Sequence, residues 1–256
     1  METATQAVNY SGGVDSLVID LHSHILPGVD DGAATLAEAL EMAQMAVDCG
    51  VFHMVATPHY NYYNHTTTAH IRTAFAQLQD GLEYEQIPLQ LYLGMENIAT
   101  DDLPQQLRQG NALTYPDSPW FLVEFLVDQS PAQINDILTR CVQEGFTPLI
   151  AHPERYLAVL ENPWIAKDWI DRGWGVQVNR DGLLGLFGKQ RMACADFMME
   201  QGWVTCIASD AHGIDGRNTD WDDAWLVLQQ RYPHKLLEQC LEIGPQKILL
   251  GESLHR

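Results

Sequence analysis

Short apolar runs alternate with amphipathic helical segments along most of this 256-residue chain. The runs with strand character span residues 17–21, 51–57, 89–95, 120–125, 146–151, 175–178 and 203–208. A helix between two such strands brings the chain back to the end of the sheet where the first strand began, so the second strand runs in the same direction. The alternation therefore predicts parallel strands. With about seven strand and helix units, an α/β fold with a closed or nearly closed barrel is the expected arrangement.

Several helices have recognisable starts. Thr35 and Glu38 have the spacing of a capping box, in which each residue satisfies a backbone N–H group of the first turn. Two further starts combine an N-cap residue with proline at the first helical position, namely Ser130-Pro131 and Asn162-Pro163. These starts support the placement of helices between the predicted strands.

Charge and composition limit the partners of the chain. Acidic residues outnumber basic ones by 34 to 14, which gives a net charge of −20, so a nucleic-acid backbone would be repelled and no nucleic-acid partner is expected. No run approaches the roughly 18 apolar residues that span a bilayer, and no secretory signal pattern is present. The five scattered cysteines fit reduced thiols. We therefore expect a cytoplasmic protein without a membrane span.

The expected domain organisation is simple. Residues 1–16 are predicted to be a flexible leader, and residues 17–256 a single catalytic domain. The leader contains the segment 11–16 (SGGVDS), which matches the phosphate-binding loop of ATP pyrophosphatases. That loop needs an apolar strand before it and a helix after it, and the polar segment 2–10 provides no such strand. Nucleotide binding is therefore disfavoured.

Histidines and carboxylates recur where the apolar runs end. These residues are His22, His24, Asp30 or Asp31, His59, Glu96, Glu124, His152, Asp210 and His212. Barrel active sites gather at the carboxyl ends of the strands, so these distant residues are expected to converge. They are too many for one ion and imply two or three metals. Nitrogen and oxygen donors without thiolate suit manganese, iron or zinc.

Two arginines accompany these residues and indicate the substrate. Arg155 follows His152 by three residues, and Arg217 follows His212 by five. A guanidinium group matches the oxygens of a phosphate and stabilises the charge that gathers there. A water that bridges metal ions has its pKa lowered toward about 7, by analogy with single zinc sites, and so becomes a hydroxide nucleophile. The sequence therefore predicts metal-dependent hydrolysis of a phosphate monoester.

Competing interpretations of other residues are weaker. A cysteine phosphatase needs an arginine six residues after its nucleophilic cysteine, and no cysteine here has one, since Cys206 has His212 at that position. Isolated histidines outside the motifs are expected to be packed or solvated, namely His53, His65, His70, His234 and His255. The tyrosines at positions 60, 62 and 63 fit substrate stacking and ordinary loop packing equally well.

The motifs that carry these residues, taken in order, resemble those of a known family. They are DLHSHILPGVDDG at 20–32, ATPH at 56–59, GME at 94–96, AHPERY at 151–156 and SDAHGIDGR at 209–217. Together they resemble the CpsB/YwqE family, bacterial protein-tyrosine phosphatases of the PHP (polymerase and histidinol phosphatase) superfamily. The resemblance runs from about residue 18 to residue 217.

The resemblance implies a distorted (β/α)7 TIM-like barrel, the PHP fold, with three divalent metal ions that are commonly manganese. It implies that the substrate is the phosphotyrosyl tail of a cognate bacterial tyrosine kinase that controls capsule or exopolysaccharide synthesis. Small phosphomonoesters such as histidinol phosphate are the alternative substrates within the superfamily. A catalytically silent scaffold that binds the kinase is the alternative outside catalysis.

The resemblance also implies a role for each motif residue. The first metal would be held by His22, His24, Glu96 and Asp210. Glu96 would bridge to a second metal held by Glu124 and His152, and the third would be held by Asp31, His59 and His212. Arg155 and Arg217 would clamp the phosphate, and Asp31 is favoured over Asp30 from the motif alone. Relatives often continue the His59 motif with histidine or basic residues, whereas tyrosines follow here, so the rim that meets the peptide is expected to be more aromatic.

Overall fold

The computed structural model describes residues 18–60 and 66–254. The predicted leader with its 11–16 motif lies outside the described residues, as do Tyr62, Tyr63, His65 and His255. No helix within the described ranges is both long and apolar enough to cross a membrane.

The described residues contain eight strand segments that pair in parallel throughout, and these form the predicted α/β barrel. They are β1 (Val18–Ser23), β2 (Val51–Ala56), β3 (Gln90–Leu93), β4 (Glu96–Ile98), β5 (Trp120–Glu124), β6 (Thr147–Ala151), β7 (Gly175–Asn179) and β8 (Cys206–Ala208). The strands β1-β2-β3 form one sheet, and β4-β5-β6-β7-β8 form the other. The barrel is distorted because its wall consists of two separate sheets.

The predicted third strand, 89–95, is divided into β3 and β4 at Gly94. Strand β3 pairs with β2, whereas β4 pairs with β5. The Gly94 N–H donates to the Ala56 carbonyl at 2.9 Å, and a Cβ atom at Gly94 would lie 3.1 Å from Val55. This close approach favours glycine, and directly after it Glu96 begins a strand on the neighbouring sheet.

The barrel closes between β1 and the segment after β8. The Asp210 N–H donates to the His22 carbonyl at 2.9 Å, and the His24 N–H donates to the Ala211 carbonyl at 2.8 Å. These bonds extend β1 to Ser23. His22 therefore lies inside the strand, whereas the predicted strand of residues 17–21 had placed it just after the strand end. Closure therefore fixes the backbone on both sides of the two histidines.

Helices surround the barrel and return the chain between strands. They are α1 (Leu36–Asp48), α2 (Thr68–Tyr84), α3 (Leu103–Gln109), α4 (Pro131–Gln143), α5 (Leu157–Glu161), α6 (Trp164–Asp171), α7 (Arg180–Leu183), α8 (Lys189–Glu200), α9 (Asp222–Arg231), α10 (His234–Glu238) and α11 (Gly244–Leu249). A single π-helical turn, Gln239–Ile243, joins α10 to α11.

The predicted caps are partly present. The Thr35 side chain accepts from the Glu38 N–H, and Ser130 forms a complete capping box at α4. The Glu38 carboxylate instead accepts from the Ala34 N–H. The predicted cap at Asn162 is wrong, because Asn162 is the C-cap of α5 and Pro163 occupies the N-cap position of α6.

An apolar plug fills the barrel below its carboxyl end. It consists of Ile19, Leu21, Val55, Tyr115, Trp120, Leu122, Leu149, Ala151, Cys206 and Ile248. Side chains two positions apart on a strand share a face, so β5 presents Trp120, Leu122 and then Glu124 on its inner face. The polar residues at the strand ends therefore lie on a packed apolar floor.

Candidate metal centre

The structure brings the predicted ligands together at the carboxyl end of the barrel. They are His22 in β1, His24 after it, Asp31 in the following loop, His59 after β2, Glu96 at the start of β4, Glu124 at the end of β5, His152 after β6, and Asp210 and His212 after β8. Every strand end except those of β4 and β7 contributes to the cluster, because the carboxyl ends of parallel strands meet at one rim of the barrel.

Four buried residues surround the centre of this cluster. The Nε2 atoms of His22 and His24 lie 3.2 Å apart. The Glu96 Oε2 atom lies 3.1 Å from His22 Nε2 and 3.2 Å from His24 Nε2, and the Asp210 Oδ1 atom lies at 3.3 and 3.4 Å from the same nitrogens. These are the four residues that the family resemblance assigns to a first metal. Their ligand atoms are close enough to share one cation.

The hydrogen bonds of the two histidines determine which nitrogen is free. His22 Nδ1 donates to Gln177 Oε1 at 3.0 Å, and His24 Nδ1 donates to Asp30 Oδ2 at 2.7 Å. Because both partners are acceptors, each ring carries a proton on Nδ1, and Nε2 is the nitrogen that faces the centre and would bind a cation. This is the tautomer that a metal-binding histidine needs, so the residues fit a cation here.

Gln177 belongs to a relay of side chains on β7 that sequence reasoning missed. Its Oε1 also accepts from the His152 N–H at 3.3 Å, which fixes the orientation of its amide. Its Nε2 donates to Asn179 Oδ1 at 2.8 Å, and Asn179 Nδ2 donates to Asp210 Oδ2 at 2.6 Å. The pattern Val-Gln-Val-Asn in a buried strand was the available indication, since its two amides share one face.

A second group of ligand atoms comprises His24, Asp31, His59 and His212. Asp31 Oδ1 lies 3.7 Å from His59 Nε2 and 3.6 Å from His212 Nε2. Asp30 instead faces His24 Nδ1 and accepts from the His59 N–H at 2.9 Å. The two aspartates, between which the sequence left the choice of ligand open, thus have different surroundings. Asp31 faces the rings of His59 and His212, and Asp30 orients His24 and the backbone of His59.

A third group comprises His59, Glu96 and Glu124, in which His59 Nδ1 lies 3.0 Å from Glu124 Oε1. The family resemblance had placed His152 with Glu96 and Glu124, but among the described residues His59 takes that position, and His152 belongs to none of the candidate metal-binding groups. His152 Nε2 lies 2.8 Å from Glu96 Oε1, whereas the other histidines approach Glu96 Oε2. The two oxygens of Glu96 thus face different histidines, as expected for a bridging carboxylate.

Burial and charge act in opposite directions on the carboxyl groups at the centre. Burial alone would raise the pKa of Glu96 and Asp210, but the positive charge of the nearby His22 ring, whose own pKa is raised by these carboxylates, outweighs burial and holds both pKa values well below the usual range. Both groups are therefore anionic near neutral pH. A cation bound at the centre would take the place of the proton on His22 Nε2. Asp210 Oδ1 is buried without a hydrogen-bond partner among the described residues, which fits a cation that would occupy the centre.

Two of these residues have an uncommon backbone conformation. His152 has φ 33° and Asp210 has φ 51°, both in the left-handed region that non-glycine residues rarely adopt. His152 directly follows β6, and Asp210 lies two residues after the end of β8. Such conformations persist only where surrounding contacts impose them, and they are common at functional sites.

The two predicted arginines lie at the edge of the cluster. Arg155 Nη1 is 3.3 Å from Asp210 Oδ2, and Arg217 Nη2 is 2.5 Å from the same oxygen. Arg217 Nε also donates to the Asp210 carbonyl at 3.1 Å. Both side chains are 27% exposed, so their guanidinium groups contact the cluster on one side and solvent on the other. An anion that entered from solvent would meet both.

The cysteine mechanism finds no support in the environment of Cys206. This residue is fully buried in the apolar plug, and burial raises the pKa of its thiol well above the ordinary value. A thiol in such surroundings carries no nucleophilic thiolate at neutral pH.

Fold and cluster together define a class of protein, the parallel α/β barrels that hold clustered histidine and carboxylate ligands at the carboxyl ends of their strands. Within that class, the chain belongs to the capsular polysaccharide synthesis family CpsB/CapC, whose family model matches residues 18–250. The match covers all eight strands.

Known proteins of similar sequence and structure agree with this assignment. The tyrosine-protein phosphatase YwqE of Bacillus subtilis is 35% identical over 241 residues, which cover 93% of this chain and 94% of that protein. CpsB of Streptococcus pneumoniae, also a tyrosine-protein phosphatase, is 29% identical over 93% of this chain and 100% of its own length.

Solved structures give the same result. The crystal structures of YwqE and CpsB, described as unique metal-dependent tyrosine phosphatases, include a chain with a TM-score of 0.85 and 34% identity, over 93% of this chain and 96% of that one. The phosphotriesterase homology protein of Escherichia coli has a TM-score of 0.60 at 11% identity, covers 93% of this chain and 100% of its own, and shows likeness of fold alone.

Proposed function

We propose that this chain is a metal-dependent protein-tyrosine phosphatase that acts on the phosphotyrosyl tail of a bacterial tyrosine kinase in capsule or exopolysaccharide synthesis. The observation that carries the proposal is the contact of Arg155 and Arg217 with one oxygen of Asp210, a carboxylate whose other oxygen faces His22 and His24. Phosphate-binding groups and metal ligands thus meet at one residue. The names of the relatives support the choice of phosphotyrosine and of capsule synthesis.

Three divalent ions would be held by the ligands described above. Nitrogen and oxygen donors without thiolate suit manganese, iron or zinc, and of these the family resemblance favours manganese. His22, His24, Glu96 and Asp210 would hold the first ion. A second ion would be held by Glu96, Glu124 and His59, with His152 at the outer oxygen of Glu96. The third would be held by the group that contains Asp31 and His212. Bound ions of this kind activate water and stabilise charge on phosphate oxygens.

The protein side chains supply binding and charge. Arg155 and Arg217 donate hydrogen bonds to phosphate oxygens and offset the charge that develops on them in the transition state. Six positive charges from three divalent ions exceed the four carboxylates by about two, which favours a phosphate dianion. Asp30 and Gln177 keep His24 and His22 in the ligand tautomer throughout.

The thiols support a cytoplasmic site of action. All five cysteines are unpaired, four of them buried, which is typical of a reducing compartment. We place the protein in the cytoplasm.

The deciding experiment measures phosphate release from a phosphotyrosyl peptide by chelated protein to which manganese is returned. We expect activity that depends on manganese and is lost in His22→Ala. Histidinol phosphate is assayed in parallel. Turnover of histidinol phosphate with no turnover of the peptide would move the protein to the small-molecule phosphatases, and silence on both with every metal would favour the scaffold.

Arg217→Ala should lower kcat by about 10²- to 10³-fold, the usual effect of removing one group that stabilises transition-state charge. Bound metal, measured by elemental analysis, should be unchanged because Arg217 contacts Asp210 from outside the ligand groups. Arg108→Ala is the control, since Arg108 is 59% exposed and pairs with Glu144. A loss of metal in Arg217→Ala would show that this arginine supports the ligands rather than the substrate.

A further inference from the structure

A tight turn between α7 and α8 presents two large apolar side chains. The Gly188 N–H donates to the Gly185 carbonyl at 3.0 Å, which closes a β-turn with Leu186 and Phe187 as its central residues. Gly185 and Gly188 have φ of 80° and 95°, which other residues rarely adopt. The turn follows β7 and therefore lies at the same end of the barrel as the metal ligands.

The side chains of this turn are not used to build the core. Leu186 is 66% exposed, and Phe187 is partly exposed. The nearby Leu184 packs against the main core, whereas Phe187 is not among the described side chains that do so. The turn itself is held by main-chain bonds, including one from the Leu186 N–H to the Asp181 carbonyl at 3.0 Å. A well-anchored turn thus carries an aromatic ring that its own packing does not require.

Phe187 lies beside one of the two phosphate-binding arginines. The Arg155 guanidinium carbon is 5.6 Å from the centre of the Phe187 ring, within the range of a cation–π contact. On its other side the same guanidinium reaches Asp210 at 3.3 Å. Along this edge of the site, Asp210 is therefore followed in space by Arg155 and then by the ring of the partly exposed Phe187.

We propose that Phe187 packs against the phenyl ring of the phosphotyrosyl substrate and so determines specificity for aryl phosphate esters. The inference rests on the proposed function. In phosphotyrosine a single ester oxygen separates phosphorus from the ring, so a phosphate bound by Arg155 places that ring beside the guanidinium, where Phe187 already lies. Offset or edge-to-face packing of two rings adds attraction that an alkyl ester cannot gain.

A simpler role for Phe187 would be to position Arg155 through the cation–π contact alone. The two roles differ in their dependence on the substrate ring. Positioning of Arg155 would affect every ligand that the arginine binds, including inorganic phosphate. Packing against the substrate would affect only ligands that carry a ring.

The test compares Phe187→Ala, Phe187→Tyr and the parent enzyme, each with manganese. We expect Phe187→Ala to lower kcat/KM on a phosphotyrosyl peptide about tenfold, equivalent to about 1.4 kcal/mol, mainly through KM. Its inhibition constant for inorganic phosphate should be unchanged, and Phe187→Tyr should retain the parent value of kcat/KM. Tyr84→Ala, at an 84% exposed aromatic residue at the end of α2, is the control.

Each other outcome has a distinct meaning. An unchanged kcat/KM in Phe187→Ala overturns the inference, and an equal loss of peptide turnover and phosphate inhibition assigns Phe187 to the positioning of Arg155. A parent enzyme that hydrolyses no phosphotyrosyl peptide refutes the proposed function itself, and the inference is refuted with it. The parent measurement therefore separates the two failures.

Discussion

The amide of Gln177 accepts hydrogen bonds from the His22 ring and from the His152 main chain, and it donates toward Asp210 through Asn179. One uncharged side chain thus orients three residues of the cluster without facing its centre. Partners of this kind set the tautomer and direction of the ligands that they contact.

Replacing Gln177 should therefore weaken metal binding. We expect Gln177→Leu to lower metal affinity by about 10- to 100-fold, the usual effect of losing such a partner. Gln177→Glu keeps an oxygen that accepts from His22 Nδ1, so its loss of metal affinity should be smaller. Competition with a chelator of known affinity measures the change. Equal affinities for the parent and Gln177→Leu would show that the His22 tautomer does not depend on this bond.

The convergence of the candidate ligands could be predicted from the sequence, because most of them lie at or just after the end of an apolar run and parallel strands end at one rim. The roles of Gln177 and Asn179 could not, since a polar residue inside a strand gains its meaning only from the distance to the neighbouring strand. The same limit explains why Glu124 was expected beside His152, whereas the structure places it beside His59. Which of the two histidines faces Glu124 depends on the side of Glu96 that each approaches, and no spacing in the sequence encodes that.

At the scale of elements, the loop that joins β6 to α5 contains a buried carboxyl group. Glu154 Oε1 accepts from the Asn179 N–H at 2.8 Å, while Oε2 is buried without a partner among the described residues. Burial raises the pKa of Glu154 to about 7. The folded protein therefore holds this proton across a pH range in which the unfolded chain, with a pKa near 4.5, has released it.

The stability contributed by the neutral Glu154 carboxyl is fully present below pH 4.5 and is lost as the pH rises toward 7. Glu154→Gln removes this dependence. In chelated protein we expect the variant to be more stable than the parent at pH 8, by roughly 3 kcal/mol at most, and about equal to it at pH 4.5. Denaturant unfolding at both pH values measures this, with exposed Glu161→Gln as the control. A difference that is the same at both pH values would contradict it.

The order of strands and helices was predictable because each strand and helix carries its own periodic pattern. The division of the third strand at Gly94 was not, because residues 89–95 read as one largely apolar run and the break coincides with the approach of Gly94 to the backbone of β2. The extension of β1 to Ser23 likewise depends on hydrogen bonds to a segment near residue 210. Long-range backbone contacts set both boundaries.

At the scale of the whole molecule, the net charge of −20 is unfavourable to the compact state. The central carboxylates Glu96 and Asp210 add to this repulsion within the interior. Divalent ions would offset the charge where it is least solvated. Metal binding is therefore expected to stabilise the fold as well as to supply chemistry.

Removing metal should lower the melting temperature, and returning manganese should raise it progressively with concentration. At a hundred times the dissociation constant, one site that binds only the folded protein contributes about 2.7 kcal/mol. Thermal unfolding of chelated protein across a manganese titration checks this. His22→Ala should respond much less than the parent. A melting temperature that is independent of manganese in the parent would argue against a structural contribution from these ions.

Glu96 belongs to two of the three ligand groups and contacts His152 with its outer oxygen. If neighbouring sites each hold an ion, they would share Glu96 as a ligand, and their occupancies would be thermodynamically linked. Filling one site orients Glu96 for the next, so the binding isotherm should be steeper than that of independent sites. By the same linkage, Glu96→Gln should lower the metal stoichiometry by more than one equivalent per chain.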